Sequence, residues 1–258
     1  MFKRAAVLVV SCGTLLAGCG TDVQAENQEI ISNLLEAGIP SDGITVVDDA
    51  VYVGGDAQVN LQASRELLQP GPGSAEHYRS TNLVGTSVTK ICVNPTASFN
   101  SYTQLSQGLD MAIANYNSLG LRIYFVRGPA TGCTANITAA TVSGSGHSSG
   151  FPSGGLPYGT INIGIGLNNY SVDVNEHVIT HAIGHTLGLL HTDAYDPAIS
   201  CGISGGGTTD YGGSVGGILI PGTPTTATPG GSIMNTCVPL TTDGEFTSSD
   251  RTALNYLY

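Results

Sequence analysis

Positive charge is scarce in this sequence. Eight Lys and Arg stand against nineteen Asp and Glu, for a net charge of −11 over 258 residues. Phosphate binding needs a basic face, so nucleic acid is excluded as a partner. Charge of either sign is low: 10% of residues are charged, while 41% are apolar and 36 are glycine. That balance excludes a disordered or coiled-coil chain and fits a compact, loop-rich fold of the secreted type. The length suits one domain with an appendage. No internal repeat is present, and no cysteine pair has the C-x-x-C spacing of a metal site. The apolar run Ala5 to Leu16 is too short to cross a bilayer as a helix.

That short run follows Lys3 and Arg4 and leads into Leu16-Ala17-Gly18-Cys19. The pattern reads as a targeting segment over residues 1–18. Small residues before a cysteine resemble a bacterial lipobox, in which Cys19 carries the lipid and begins the mature chain. An ordinary signal peptide cut nearby is the alternative. Gly20 follows, where an Asp would point to the inner membrane. The expectation is an outer-membrane lipoprotein or a secreted protein of the bacterial cell envelope, with membrane contact only through Cys19. Export makes disulfides the natural state of the remaining Cys92, Cys133, Cys201 and Cys237. Of three pairings, Cys92–Cys133 and Cys201–Cys237 are expected, because each closes a loop within one part of the chain.

Residues 19–76 form an acidic segment; positions 21–80 carry ten acidic and two basic side chains. An amphipathic helix is expected over 23–37, with Ile30, Ile31, Leu34 and Leu35 on one face. Strands follow in "ITVVDDAVYVGG" and a short helix over 60–69, before the break "QPGPGS". This has the form of a pro-region and linker. Residues 77–258 form the main domain. Strands are expected in "TSVTKICV", "LRIYFVR", "NITAATVS" and "TINIGIGL", and a helix over Tyr102–Leu119. "GSGHSSGFPSGGLPYG" reads as irregular loop. A helix capped by Asp173, with Glu176 three residues on, runs to Gly188. Cys201–Ser232 reads as loop, and a last helix starts at Thr247 or Ser248.

The helix ending at Gly188 carries "THAIGHTLGLLHTD". His181 and His185 lie four apart, so they share one face. Gly188 can take the backbone angles that stop a helix and turn the chain back. His191 then reaches the same point. Three neutral imidazoles with an open fourth position describe a catalytic Zn²⁺ site. His147 and His77 stand in loops, where a histidine without metal is the expected reading. His177 is expected to be exposed or to support the ligands.

"HAIGHTLGLLH" resembles the metzincin motif H-E-x-x-H-x-x-G-x-x-H at every fixed position but one, and "SIMN" resembles the Met-turn, with Met234 beneath the metal. The similarity is to the dual-action HEIGH metallopeptidases and covers roughly His77 to Tyr258. It implies an α+β fold: a twisted mixed sheet with two long helices, an active-site cleft, and an irregular C-terminal subdomain with the Met-turn. It implies peptide-bond hydrolysis, a peptide or protein substrate and a monomer. An extended substrate is expected to add to the strand at Thr160–Gly166.

Two departures stand out. Ala182 replaces the glutamate that serves the family as general base, a group that contributes about 10²–10⁴-fold in rate. Neither Glu176 nor Asp193 is expected to substitute. Thr236 stands where astacin-like and serralysin-like relatives have a tyrosine. "VGGD", ending at Asp56, resembles the F-x-G-D of astacin pro-segments, whose aspartate fills the open metal position. A plain Gly-Asp turn explains the same residues and is preferred. The expected function is a zinc metalloendopeptidase with reduced activity; the alternative is an inactive pseudoprotease that holds zinc and grips peptides.

Overall fold

In the computed structural model the described residues are 20–68, 78–202 and 218–258. Cys19, His77, the break at 69–74, the boundary near residue 76 and the middle of the Cys201–Ser232 segment lie outside them.

Alternation builds the sheet. In β7 (Ala135–Val142) Ala135, Ile137 and Ala139 are buried while Asn136 and Thr138 are exposed. β7 pairs in parallel with β5 (Lys90–Pro95) on one side and β9 (Thr160–Gly164) on the other, and β5 pairs in parallel with β6 (Tyr124–Arg127). β8 (His147–Gly150) runs antiparallel to β9. Beneath this sheet α4 (Thr103–Ser118) packs on α5 (Val172–Thr186), after the short α3 (Ala97–Ser101). Every residue of α5 from Val174 to Thr186 is buried. The shared core holds Phe99, Leu105, Leu109, Tyr116, Phe125, Ile161, Ile163 and Ile183. α7 (Ser248–Leu257) closes the chain, capped reciprocally by Thr247 and Asp250.

The acidic segment is not set apart from this sheet. α1 (Gly20–Glu36) and α2 (Leu61–Leu67) flank β1 (Ile44–Val47), β2 (Ala50–Val53) and β3 (Ala57–Val59). Asp48 and Asp49, both at positive φ, make the two-residue turn between β1 and β2. β3 then pairs in parallel with β8, giving one eight-stranded sheet in the order β1-β2-β3-β8-β9-β7-β5-β6. The apolar cluster of this segment, with Ile30, Leu34, Val51 and Leu67, is completed by Phe151 from the main domain. Three short strands and two helices bury too little to close a core alone.

Several expectations need correction. Leu35 is exposed and does not share the buried face of Ile30 and Leu34. Ser171, not Asp173, caps α5: its hydroxyl accepts from the Val174 amide, so Asp173 falls in the first turn. β8 arises within the Gly- and Ser-rich stretch read as loop, because neighbours on both sides supply its pairing. β10 (Ile218–Leu219) pairs with β4 (Tyr78–Arg79) inside the segment read as loop, and α6 (Ala198–Cys201) precedes it. β9 is an interior strand and offers no edge to a peptide. The edge of the main domain's strands is β8, and β3 lies on it.

Gly108 lets α4 and α5 touch: a Cβ there would stand 2.9 Å from the Glu176 amide nitrogen and 2.8 Å from Asn175 Cβ. Gly108→Ala is expected to lower stability by about 1–3 kcal/mol, read as a lower urea midpoint with unchanged slope.

Candidate metal centre

α5 sets His181 and His185 one turn apart, and both are buried. Helix geometry then gives way at Gly188, whose φ is +102°. A Cβ at this position would also meet the Asn82 carbonyl oxygen at 2.5 Å, so only glycine fits the reversal. The returning chain brings His191 to the pair. The three Nε2 atoms stand 3.0 Å apart for His181 and His185, and 3.2 Å from each of these to His191.

The other ring nitrogens decide the protonation. His181 Nδ1 lies 2.8 Å from the Ile233 carbonyl oxygen, and His185 Nδ1 lies 2.7 Å from that of Leu189. A carbonyl only accepts, so each Nδ1 carries the proton and donates it. In neutral rings the facing Nε2 atoms are then bare lone pairs. Burial pushes His181 down to about 3, which keeps it neutral. Lone pairs packed this closely without a proton between them repel unless a cation lies among them. The donor set fits a divalent metal, with the carbonyls fixing the tautomers.

Asp56 enters the same point from the end of the β2–β3 turn. Its Oδ2 is 3.1 Å from His181 Nε2, 3.3 Å from His191 Nε2 and 3.4 Å from His185 Nε2. Burial alone would raise this carboxyl, but His191, His185, His147 and His181 outweigh it and hold it well below the usual range. Burial likewise pulls His191 down, yet Asp56 and then Asp193 leave it above its ordinary value. The Gly-Asp turn is therefore more than a plain connection between strands: it delivers the carboxylate to the histidines. Among the described residues, Asp56, His181, His185 and His191 are the group able to hold a metal ion.

His147 is the residue that sequence reasoning passed over. It lies on β8, not in a loop, with Nε2 3.1 Å from Asp56 Oδ2 and its ring edge-on to His181 at 5.1 Å. Register places it: β8 is held by β9 through His147↔Ile163 and by β3 through Ala57↔Ser149. No local pattern marks it, because Gly and Ser flank it on both sides and its strand pairing comes from distant segments.

The floor is built by the C-terminal segment. Gly184 has no Cβ, and one would meet Met234 Sδ at 2.5 Å. The Met234 carbonyl accepts from the Thr192 amide, and the Asp250 carboxylate takes the Ile233 amide and the Ser232 hydroxyl. Thr236 gives its amide and hydroxyl to Asp193, both at 2.8 Å. Asp193 thus fastens the third-histidine segment to Thr236. Ala182 is fully buried in the apolar core and adds no polar atom. His177 is buried, with Nδ1 on the Thr242 hydroxyl. Disulfides join Cys92 to Cys133 and Cys201 to Cys237, the second tying α6 to the segment after Met234.

Comparison with known proteins gives three findings. The family described as dual-action HEIGH metallo-peptidase matches residues 51–258. Two solved structures of myroilysin are similar at 15% identity: one covers 68% of this chain and 97% of its own with a TM-score of 0.44, the other 75% and 95% with 0.40. No curated protein matches the sequence.

Glu176 faces Gly244. It is buried, and burial, then Glu245, Asp173 and Asp243, raise its carboxyl to about 7. A folded value above the ordinary 4.5 favours the protonated form in the native state, so its stabilising share is full below about 4.5 and is lost as pH rises through 7. Glu176→Gln is expected to flatten that loss and to exceed the parent at pH 8 by on the order of 1–2 kcal/mol, with no gain at pH 4.5, in urea melts at the two pH values.

Proposed function

Because the chain belongs to the dual-action HEIGH metallopeptidases, we propose that it is a zinc endopeptidase of the bacterial cell envelope, latent through Asp56 and lacking its general base. The observation that carries this reading is the meeting of three histidine Nε2 atoms, those of His181 and His185 free of protons, with one carboxylate. His181, His185 and His191 hold the ion. A zinc ion there supplies Lewis acidity towards water and the peptide carbonyl. The Ile233 and Leu189 carbonyls keep the rings oriented, and Asp56 shuts out both water and substrate. β3 lies on the β8 edge, where an extended peptide would add as a strand, so latency comes from the strand and the carboxylate together. Beside His185 and His191 an apolar pocket lined by Phe151, Leu190, Pro197 and Thr236, and roofed by Ile39 and Val53, suits an apolar substrate side chain. Cys19, with its lipid, anchors the chain outside the inner membrane, and the molecule acts as a monomer.

Ala182 favours a second reading, a pseudoprotease that binds zinc and peptides without turnover. Nothing at this position can take a proton from the attacking water or return it to the leaving amine.

Elemental analysis is expected to find one zinc per chain, lost in His185→Ala; a metal-free parent chain would sink both readings. Asp56→Ala is expected to speed removal of that zinc by a small chelator, and equal rates would remove Asp56 from the metal. Ala182→Glu, combined with Asp56→Ala, is expected to raise cleavage of an unfolded protein substrate by about 10²–10⁴-fold over Asp56→Ala alone. No gain there would leave the peptide-binding reading.

A further inference from the structure

His147 is not among the proposed ligands, yet it stands beside the centre. Its Nε2 is buried and has no hydrogen-bond partner aligned with it. The nearest charge is Asp56 Oδ2, at 3.1 Å. That oxygen is the one that faces all three Nε2 atoms of the histidine cluster. A buried polar atom without a hydrogen-bond partner therefore lies 3.1 Å from the oxygen that faces all three histidines. Its backbone is fixed independently of the histidine cluster, through β9. The strand that positions His147 is also the strand that receives the pro-region: the Ser149 amide donates to the Asp56 carbonyl at 2.8 Å. One short strand thus grips the Asp56 backbone two residues from where its own histidine meets the Asp56 carboxylate.

Resting on the reading of the three histidines as metal ligands, we propose that His147 is a positioning residue that holds the oxygen ligand in the open position. It holds the Asp56 carboxylate in the latent chain, and any carboxylate that takes that place. It is not one of the ligands, since its nitrogen lies outside the compact group formed by Asp56, His181, His185 and His191. The contact gives this centre a fourth imidazole where the sequence motif provides three. It also gives the open position one polar side-chain neighbour in a chain whose residue 182 supplies none.

Acetate tests this directly, because it is the carboxylate that Asp56→Ala deletes. The full chain and its variants are loaded with cobalt(II), and the visible absorption of the metal reports what stands in the open position. Asp56→Ala is expected to change the parent spectrum, and added acetate to restore it. Adding His147→Leu, which fills the space without a polar atom, is expected to weaken acetate binding about tenfold, while His147→Gln stays within about threefold of His147. Equal acetate affinity with Leu and His at 147 overturns the proposal, as does a Gln variant no better than Leu. An Asp56→Ala protein that ignores acetate, or whose spectrum equals the parent's, overturns it too, by removing the carboxylate seat. Failure of the parent to take cobalt at all removes the three-histidine reading, and the proposal falls with it.

Discussion

Two carbonyl oxygens take the protons of His181 and His185, and the rest of the centre is arranged around that fact. Once Ile233 and Leu189 fix the Nδ1–H groups, lone pairs face one another at 3.0 Å in a dry place. Such an arrangement is unfavourable by itself and becomes favourable only around a cation. The fold therefore holds its ligands in a geometry suited to the bound state, and must pay for that elsewhere. It does so through rigid supports. Gly188 admits the reversal that brings the Leu189 carbonyl beneath His185, Gly184 admits Met234, and Asp250 clamps the Ile233 segment from the cap of α7.

The N-terminal segment meets the same constraint from the other side. A buried carboxylate is costly unless it faces positive charge or donors. Asp56 is brought to the histidines by β3, whose pairing with β8 extends the main sheet, and by a shared apolar cluster that includes Phe151. Strand pairing supplies position, apolar packing supplies adhesion, and the carboxylate supplies a ligand atom. These three contributions come from the four residues Asp56 to Val59 and their neighbours, so none can move without the others.

What could be read from the sequence follows the range of the contacts. The three histidines are legible because a helical turn and a glycine stop act within eleven residues. The two disulfides are legible as local loop closures. Asp56 meets His181 across 125 residues, and no periodicity encodes that distance. His147 is harder still: Gly, Ser and Pro around it argue against a strand, and β8 forms only because β9 and β3 flank it. Local chemistry misled in smaller ways too. Asp173 and Ser171 both make good caps, and the backbone chose the earlier one; Leu35 has the right character for the buried face of α1 but lies beyond its edge.

Ala182 sits at the one motif position that the ligand geometry does not constrain. The histidines, Gly188 and Met234 are each held by a contact that another residue would break, whereas alanine at 182 simply completes the core. The histidine geometry therefore does not depend on the side chain at 182. The N-terminal segment bears on the choice between an enzyme and a binding protein. A protein that only grips peptides gains nothing from a segment that fills its own edge strand and places a carboxylate on its own ligands. In the proposed reading, a plug of that form answers to a centre whose chemistry is restrained. Under the reading proposed above, the arrangement around Asp56 and His147 belongs to the logic of a protease.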